Sequence, residues 1–173
     1  MNKALHDYFT NDHRRIERIL DDALVNPQQI AMEHYNLFRT GLLTHIKMEE
    51  KILFPAAQRA NNGVPIPLAA QLRLDHGALT ALMTISPTAE AIKVLKYILD
   101  KHDLLEEEPG GMYDICEKLT QNQTQEILSE LEKTTPVPVH PINTSDVVLG
   151  AAKRALLRAG YDFDELARSL TKN

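Results

Sequence analysis

Two short phrases recur along the chain, and both are built from residues that bind metal ions. Asp12-His13 is followed by His45-Ile46-Lys47-Met48-Glu49-Glu50, and Asp75-His76 is followed by His102-Asp103-Leu104-Leu105-Glu106-Glu107. In each half an Asp-His pair precedes a His-x-x-x-Glu-Glu run, at a distance that suits a helix, a turn and the returning helix. Residues four apart are neighbours on one helix face, with Cβ atoms about 5–6 Å apart. His45 with Glu49, and His102 with Glu106, can therefore each present an imidazole and a carboxylate to one point. Titratable groups inside an apolar helical core are costly unless paired or metal-bound. With His13 and His76 added from two further helices, four imidazoles and two carboxylates converge. Di-iron and di-manganese carboxylate centres are built in this way inside helix bundles. Imidazole and carboxylate without thiolate favour iron, manganese or zinc over copper(I) or an iron–sulfur cluster.

The elements that must position these groups are helices. Strand signals are nearly absent, whereas Ile16, Ile19, Leu20 and Leu24 recur at spacings of three and four. The spacing predicts a first helix over about 11–25, with Thr10, Asn11 and Asp12 as caps. A break follows at Asn26-Pro27, where Pro27 can open the next helix. A long second helix is predicted over 28–58, carrying Leu37, Phe38, Leu42, His45, Glu49, Ile52 and Leu53. A third is expected over 67–84. The fourth starts near Thr88 and continues, kinked at Pro109-Gly110-Gly111, to about 132. Four amphipathic helices with short connectors read as an all-α, antiparallel four-helix bundle over residues 1–133. Residues 134–173 read as a Pro-rich linker and two short helices, about 144–158 and 162–171. Thirty residues cannot bury a core alone, so this extension is expected to dock on the bundle or to pair in a homodimer.

The four phrases, together with Ile52-Leu53-Phe54-Pro55 after the first run, resemble the hemerythrin family, in its bacterial form the HHE cation-binding domain. The resemblance covers about residues 10–132. It implies a non-haem centre of two iron ions with carboxylate bridges, able to meet dioxygen or nitric oxide. It also implies that His13, His45, Glu49, His76, His102 and Glu106 are the ligands; manganese or zinc would suit the same donors. Oxygen-carrying hemerythrins have His-x-x-x-His on the third helix, whereas here the residue four after His76 is Thr80. That departure moves the reading toward sensing, iron handling or a reactive centre. The expected function is binding or sensing of dioxygen or a related small oxidant; the rivals are an enzyme acting on peroxide or nitric oxide, and an interaction module with a structural metal.

Other residues read as bystanders. His6 lies before the predicted first helix, His140 lies in the linker, and His34 is eleven residues from His45, about 16 Å along a helix. Tyr97 and Tyr113 are expected mainly to pack in the core, with reach into the pocket as the alternative, and Cys116 to act as a small buried hydrophobe. Glu50 and Glu107 are expected as solvated groups or as groups that support the ligands from behind. Asp12 and Asp75 are expected mainly to orient the adjacent backbone or serve as caps, with support of a ligand as the alternative. A single cysteine excludes a disulfide framework and fits a reducing cytosol. The first seven residues lack the apolar core of a signal peptide, which predicts a cytoplasmic chain. With 19 basic and 24 acidic residues the net charge is -5, which argues against a nucleic-acid surface, and no apolar run is long enough for a membrane.

Overall fold

A computed structural model describes residues 3–26 and 29–171, and among these residues it is helical with no strand. Its helices are α1 (Ala4–Ala23), α2 (Met32–Met48), α3 (Phe54–Ala60), α4 (Ala69–Leu82), α5 (Ala89–Glu107), α6 (Met112–Leu119), α7 (Thr124–Glu132), α8 (Asp146–Ala159) and α9 (Phe163–Thr171). Contacts divide the chain into two compact units, Met1–Ala69 with Leu105–Val139, and Ala70–Leu104 with His140–Asn173. No helix among the described residues is long and apolar enough to cross a membrane.

In the first unit α1 packs along α2 and against α6 and α7. The buried stripe of α1 is Leu5, Phe9, His13, Ile16, Leu20 and Ala23, so His13 stands where the helical period calls for an apolar residue. His45 holds the same kind of place on α2, among buried Phe38, Leu42 and Met48. Residues Glu49–Leu53 form one π-helical turn between α2 and α3. The long second helix is thus present, with an over-wide turn that begins at Glu49. Such insertions commonly sit at functional sites, because they re-aim the side chains on either side. The predicted opening of that helix at Pro27 lies outside the described residues.

Two boundaries differ from expectation. First, α1 begins at Ala4, so Thr10, Asn11 and Asp12 lie inside it and cap nothing. A distant carboxylate replaces the local cap: Glu117 Oε2 accepts from Leu5 N at 2.7 Å and from His6 N at 3.1 Å. Negative charge at a helix N-terminus is also favoured by the helix dipole. His6 is consequently helical. Second, the fourth helix is not one kinked rod. It ends at Glu107, and α6 and α7 follow as separate helices. Gly110 adopts φ +83°, and a Cβ on Gly111 would lie 2.8 Å from the carbonyl oxygens of Leu105, Glu106 and Glu108. Only glycine allows so tight a turn, which starts α6 five residues after α5 ends.

In the second unit α4 and α5 bury Leu72, Leu79, Leu82, Val94, Leu95 and Ile98. Thr88 Oγ1 accepts from Ala91 N at 3.2 Å and so caps the start of α5. The C-terminal helices fall close to their expected ranges. Helix α8 starts on a Ser145 side chain that accepts from Val148 N, and it stops at Gly160 with φ +93°. Asn143 N donates to Thr84 O at 2.9 Å, and Lys93 Nζ donates to Leu170 O at 3.3 Å.

Replacing Glu117 by alanine leaves two amide donors at the start of α1 without their carboxylate. The expected loss is about 1–3 kcal/mol of unfolding free energy, read as a lower denaturant midpoint at unchanged slope. An unchanged midpoint would show that the long-range cap contributes nothing.

Candidate metal centre

His13 from α1, His45 from α2, Glu49 from the π turn and Glu106 from the end of α5 converge inside the first unit. All four are buried, the two glutamates completely, at 0% exposure. One ligand atom from each lies within 4.8 Å of every other. His13 Nε2 stands 2.8 Å from His45 Nε2. His45 Nε2 is 3.3 Å from Glu49 Oε1, and His13 Nε2 is 3.5 Å from Glu106 Oε2.

Both imidazoles have their second nitrogen committed. His45 Nδ1 donates to Asp12 Oδ2 at 2.9 Å, and His13 Nδ1 donates to Glu107 Oε1 at 2.7 Å. These bonds place the N–H on Nδ1 and turn each Nε2 lone pair inward. Two lone pairs 2.8 Å apart repel unless a proton or a cation lies between them. Burial alone pushes the His45 imidazole down, but the Glu49 carboxylate, the Asp12 hydrogen bond and the Glu106 carboxylate together raise it to about 10. The field at this point therefore holds positive charge. Donor atoms each about 2.1 Å from one ion stand about 3 Å apart when adjacent, close to the spacings observed here. A divalent cation would also balance the two buried carboxylates, each of which would otherwise cost several kcal/mol. The donor set fits a metal ion in number, charge and spacing.

The carboxylates behind the imidazoles are themselves held. Burial raises the pKa of Asp12, but its hydrogen bonds to His45 and Arg15 outweigh that and keep it below the usual range. Glu107 is likewise raised by burial and then lowered further by His13 and by Arg14, whose guanidinium pairs with its other oxygen. Asp12 and Glu107 thus act on the site by fixing the histidine tautomers, not as caps or solvated charges. Glu50 is half-buried beside Glu49.

Tyr113, expected as core packing, also enters the cluster. Its hydroxyl lies 2.7 Å from Glu49 Oε1, 2.8 Å from Glu106 Oε2, 3.0 Å from His13 Nε2 and 3.2 Å from His45 Nε2. Burial and then the Glu106 and Glu49 carboxylates push its pKa well above the ordinary phenol value. Phe9 closes the wall, edge-on to His45 at 5.4 Å and stacked on Tyr113 at 5.2 Å. Buried Cys116 is pushed strongly upward by desolvation and stays a thiol.

The second unit repeats the pattern with its own residues. His76 of α4 and His102 of α5 are buried with ring centroids 4.8 Å apart. Asp75 Oδ2 lies 3.8 Å from His102 Nδ1, the counterpart of Asp12 at His45. Gln71 Nε2 donates to Asp75 Oδ1 at 2.9 Å and to Ala159 O at 3.3 Å. Tyr161, just beyond α8, donates to Asp75 as well; burial and that carboxylate raise its pKa. His34 and His140 are exposed.

The family described as the hemerythrin HHE cation-binding domain matches residues 4–107. The chain belongs to this HHE family. The matched span contains every histidine and glutamate expected as a ligand, and it ends before Tyr113. No curated protein and no solved structure matches the chain. Within this HHE domain Asp12 hydrogen-bonds the histidine of the following helix, and Asp75 stands 3.8 Å from its own. Repetition of the Asp was the sequence signal for that role, but only the packing of α1 on α2 shows its target.

Asp12→Asn removes the carboxylate that fixes the His45 tautomer while keeping its size. The expected result is a 10–100-fold loss of metal affinity by chelator competition, with the helical circular dichroism unchanged. Equal affinity for both proteins would show that the Asp12 contact is incidental to the site.

Proposed function

We propose that this HHE domain is a non-haem di-iron protein that binds or senses dioxygen or a related small oxidant. In this reading α1, α2 with α3, α4 and α5 are the helices of an antiparallel four-helix bundle. His13, His45, Glu49, His76, His102 and Glu106 would hold two iron ions. The observation that carries the proposal is the pair of inward-facing imidazole nitrogens 2.8 Å apart beside two fully buried carboxylates. The repeated Asp–His contact supports extending the same role to His76 and His102, and family membership supports the metal.

Iron, when bound, would supply the coordination positions and the electrons through which a small oxidant is held. The protein groups do the rest. Asp12 and Glu107 hold the N–H of each imidazole on Nδ1 and leave Nε2 facing inward, and Phe9 excludes water from the side of His45 and Tyr113. Thr80, in place of a histidine four after His76, leaves the second half with fewer imidazoles than an oxygen carrier has. That absence favours a sensing or reactive centre over reversible carriage.

Protein expressed with iron and purified under argon is expected to contain about two iron ions per chain by elemental analysis. It should show a near-ultraviolet charge-transfer band that changes on admitting air. Fewer than one metal ion per chain would overturn the di-iron reading. Multiple turnover of peroxide or nitric oxide, lost in Glu49→Ala, would instead establish the enzyme reading, whereas stoichiometric binding excludes it.

A further inference from the structure

We infer that Tyr113 is a seventh protein ligand, binding through its phenol oxygen to the ion held by His13, His45, Glu49 and Glu106. This rests on the metal-binding reading above and adds a residue beyond the span matched by the family.

The argument is geometric. The Tyr113 oxygen sits 2.7–3.2 Å from one ligand atom of each of the four residues. A hydroxyl carries one proton, so it can donate to Glu49 or to Glu106 but not to both at once. Toward the remaining atoms it offers only lone pairs, and those atoms are carboxylate oxygen and imidazole nitrogen. The phenol oxygen thus stands from four candidate ligand atoms at about the 3 Å spacing that adjacent donors on one ion adopt. The ring is also held in place. Its stack on Phe9 is at an interplanar angle of 26°, His6 meets its edge at 6.1 Å, and the side chain is 1% exposed. The backbone explains how a residue seven after Glu106 returns to it. The tight turn at Gly110-Gly111 brings α6 back against α1 and α3, with Tyr113 in its first turn.

When ferric iron binds, an iron–oxygen bond forms, the phenolic O–H bond breaks, and the proton passes to the buffer. No electron is transferred in this step. Phenolate bound to iron(III) absorbs in the visible, which neither histidine nor glutamate ligation does. The test loads the full chain with iron(II), oxidises it in air, and compares wild type with Tyr113→Phe. The expected result is a visible band in the wild type that is lost in the variant, at equal iron content. In case the variant fails to fold, the wild type is also grown with ring-deuterated tyrosine. Resonance Raman excitation in the visible band should then show ring modes that shift with the label. Iron content and visible spectrum identical in both proteins, or no isotope-sensitive ring modes, would overturn the Tyr113 inference and leave the di-iron reading intact. Failure of the wild type to bind iron would overturn both.

Discussion

Glu49 and Glu106 are carboxylates without solvent, and they face two imidazoles whose N–H groups are already bonded elsewhere. Much of the first unit can be understood from that constraint. Charge taken out of water must be compensated on the spot, and the compensation is worth several kcal/mol per group. The raised pKa of His45 is one expression of it, since the pocket favours a positive charge even against the burial that opposes one. A metal ion satisfies the same demand with more donors than a proton can. Core packing and ion binding are therefore the same problem here: where His13 and His45 replace hydrophobic residues in an apolar stripe, a cation shared by the atoms that face inward would offset the cost of burying them.

Positioning such a centre requires groups that no single helix can supply. Asp12 reaches across from α1 to His45 on α2, and Glu107 at the end of α5 reaches His13 on α1. These crossed contacts tie the helices together at the site and fix the tautomers of the imidazoles at the same time. The π turn at Glu49–Leu53 and the glycine turn at Gly110-Gly111 serve the same end. Each departs from regular helix next to a glutamate, and each redirects a side chain: Glu49 itself in one case, Tyr113 in the other. In the second unit the C-terminal extension takes part through Ala159 O and Tyr161, which hold Gln71 and Asp75 behind His102.

Much of this was legible in the residue pattern. The helical class and the shared face of each His-x-x-x-Glu pair follow from periodicity and spacing, because a helix makes residues three and four apart neighbours whatever surrounds it. The resemblance of the repeated phrases to those of the HHE domain pointed to the family. The α8 and α9 ranges were equally readable, since Ser145 and Gly160 are local signals. The start of α1 was not readable. Thr10, Asn11 and Asp12 have the chemistry of caps, but the carboxylate that serves α1 comes from Glu117, more than a hundred residues away. The supposed kink after Glu106 was likewise misjudged: proline and glycine announced an interruption, but not that the chain would turn back to place Tyr113 on the site.

The sequence by itself determined which donors are available and on which helix faces they lie, because those properties depend on side-chain chemistry and on the 3.6-residue turn. Only the tertiary structure decided which groups share one point in space. Asp12 and Glu107 look like ordinary polar residues until His45 and His13 are brought against them, and Tyr113 looks like an ordinary aromatic until α6 packs against α1 and α3. Hydrogen bonds and coordination act over about 3 Å, whereas the partners are separated by 33, 94 and 64 residues along the chain. A contact of that range is a property of the folded arrangement, which no local pattern encodes.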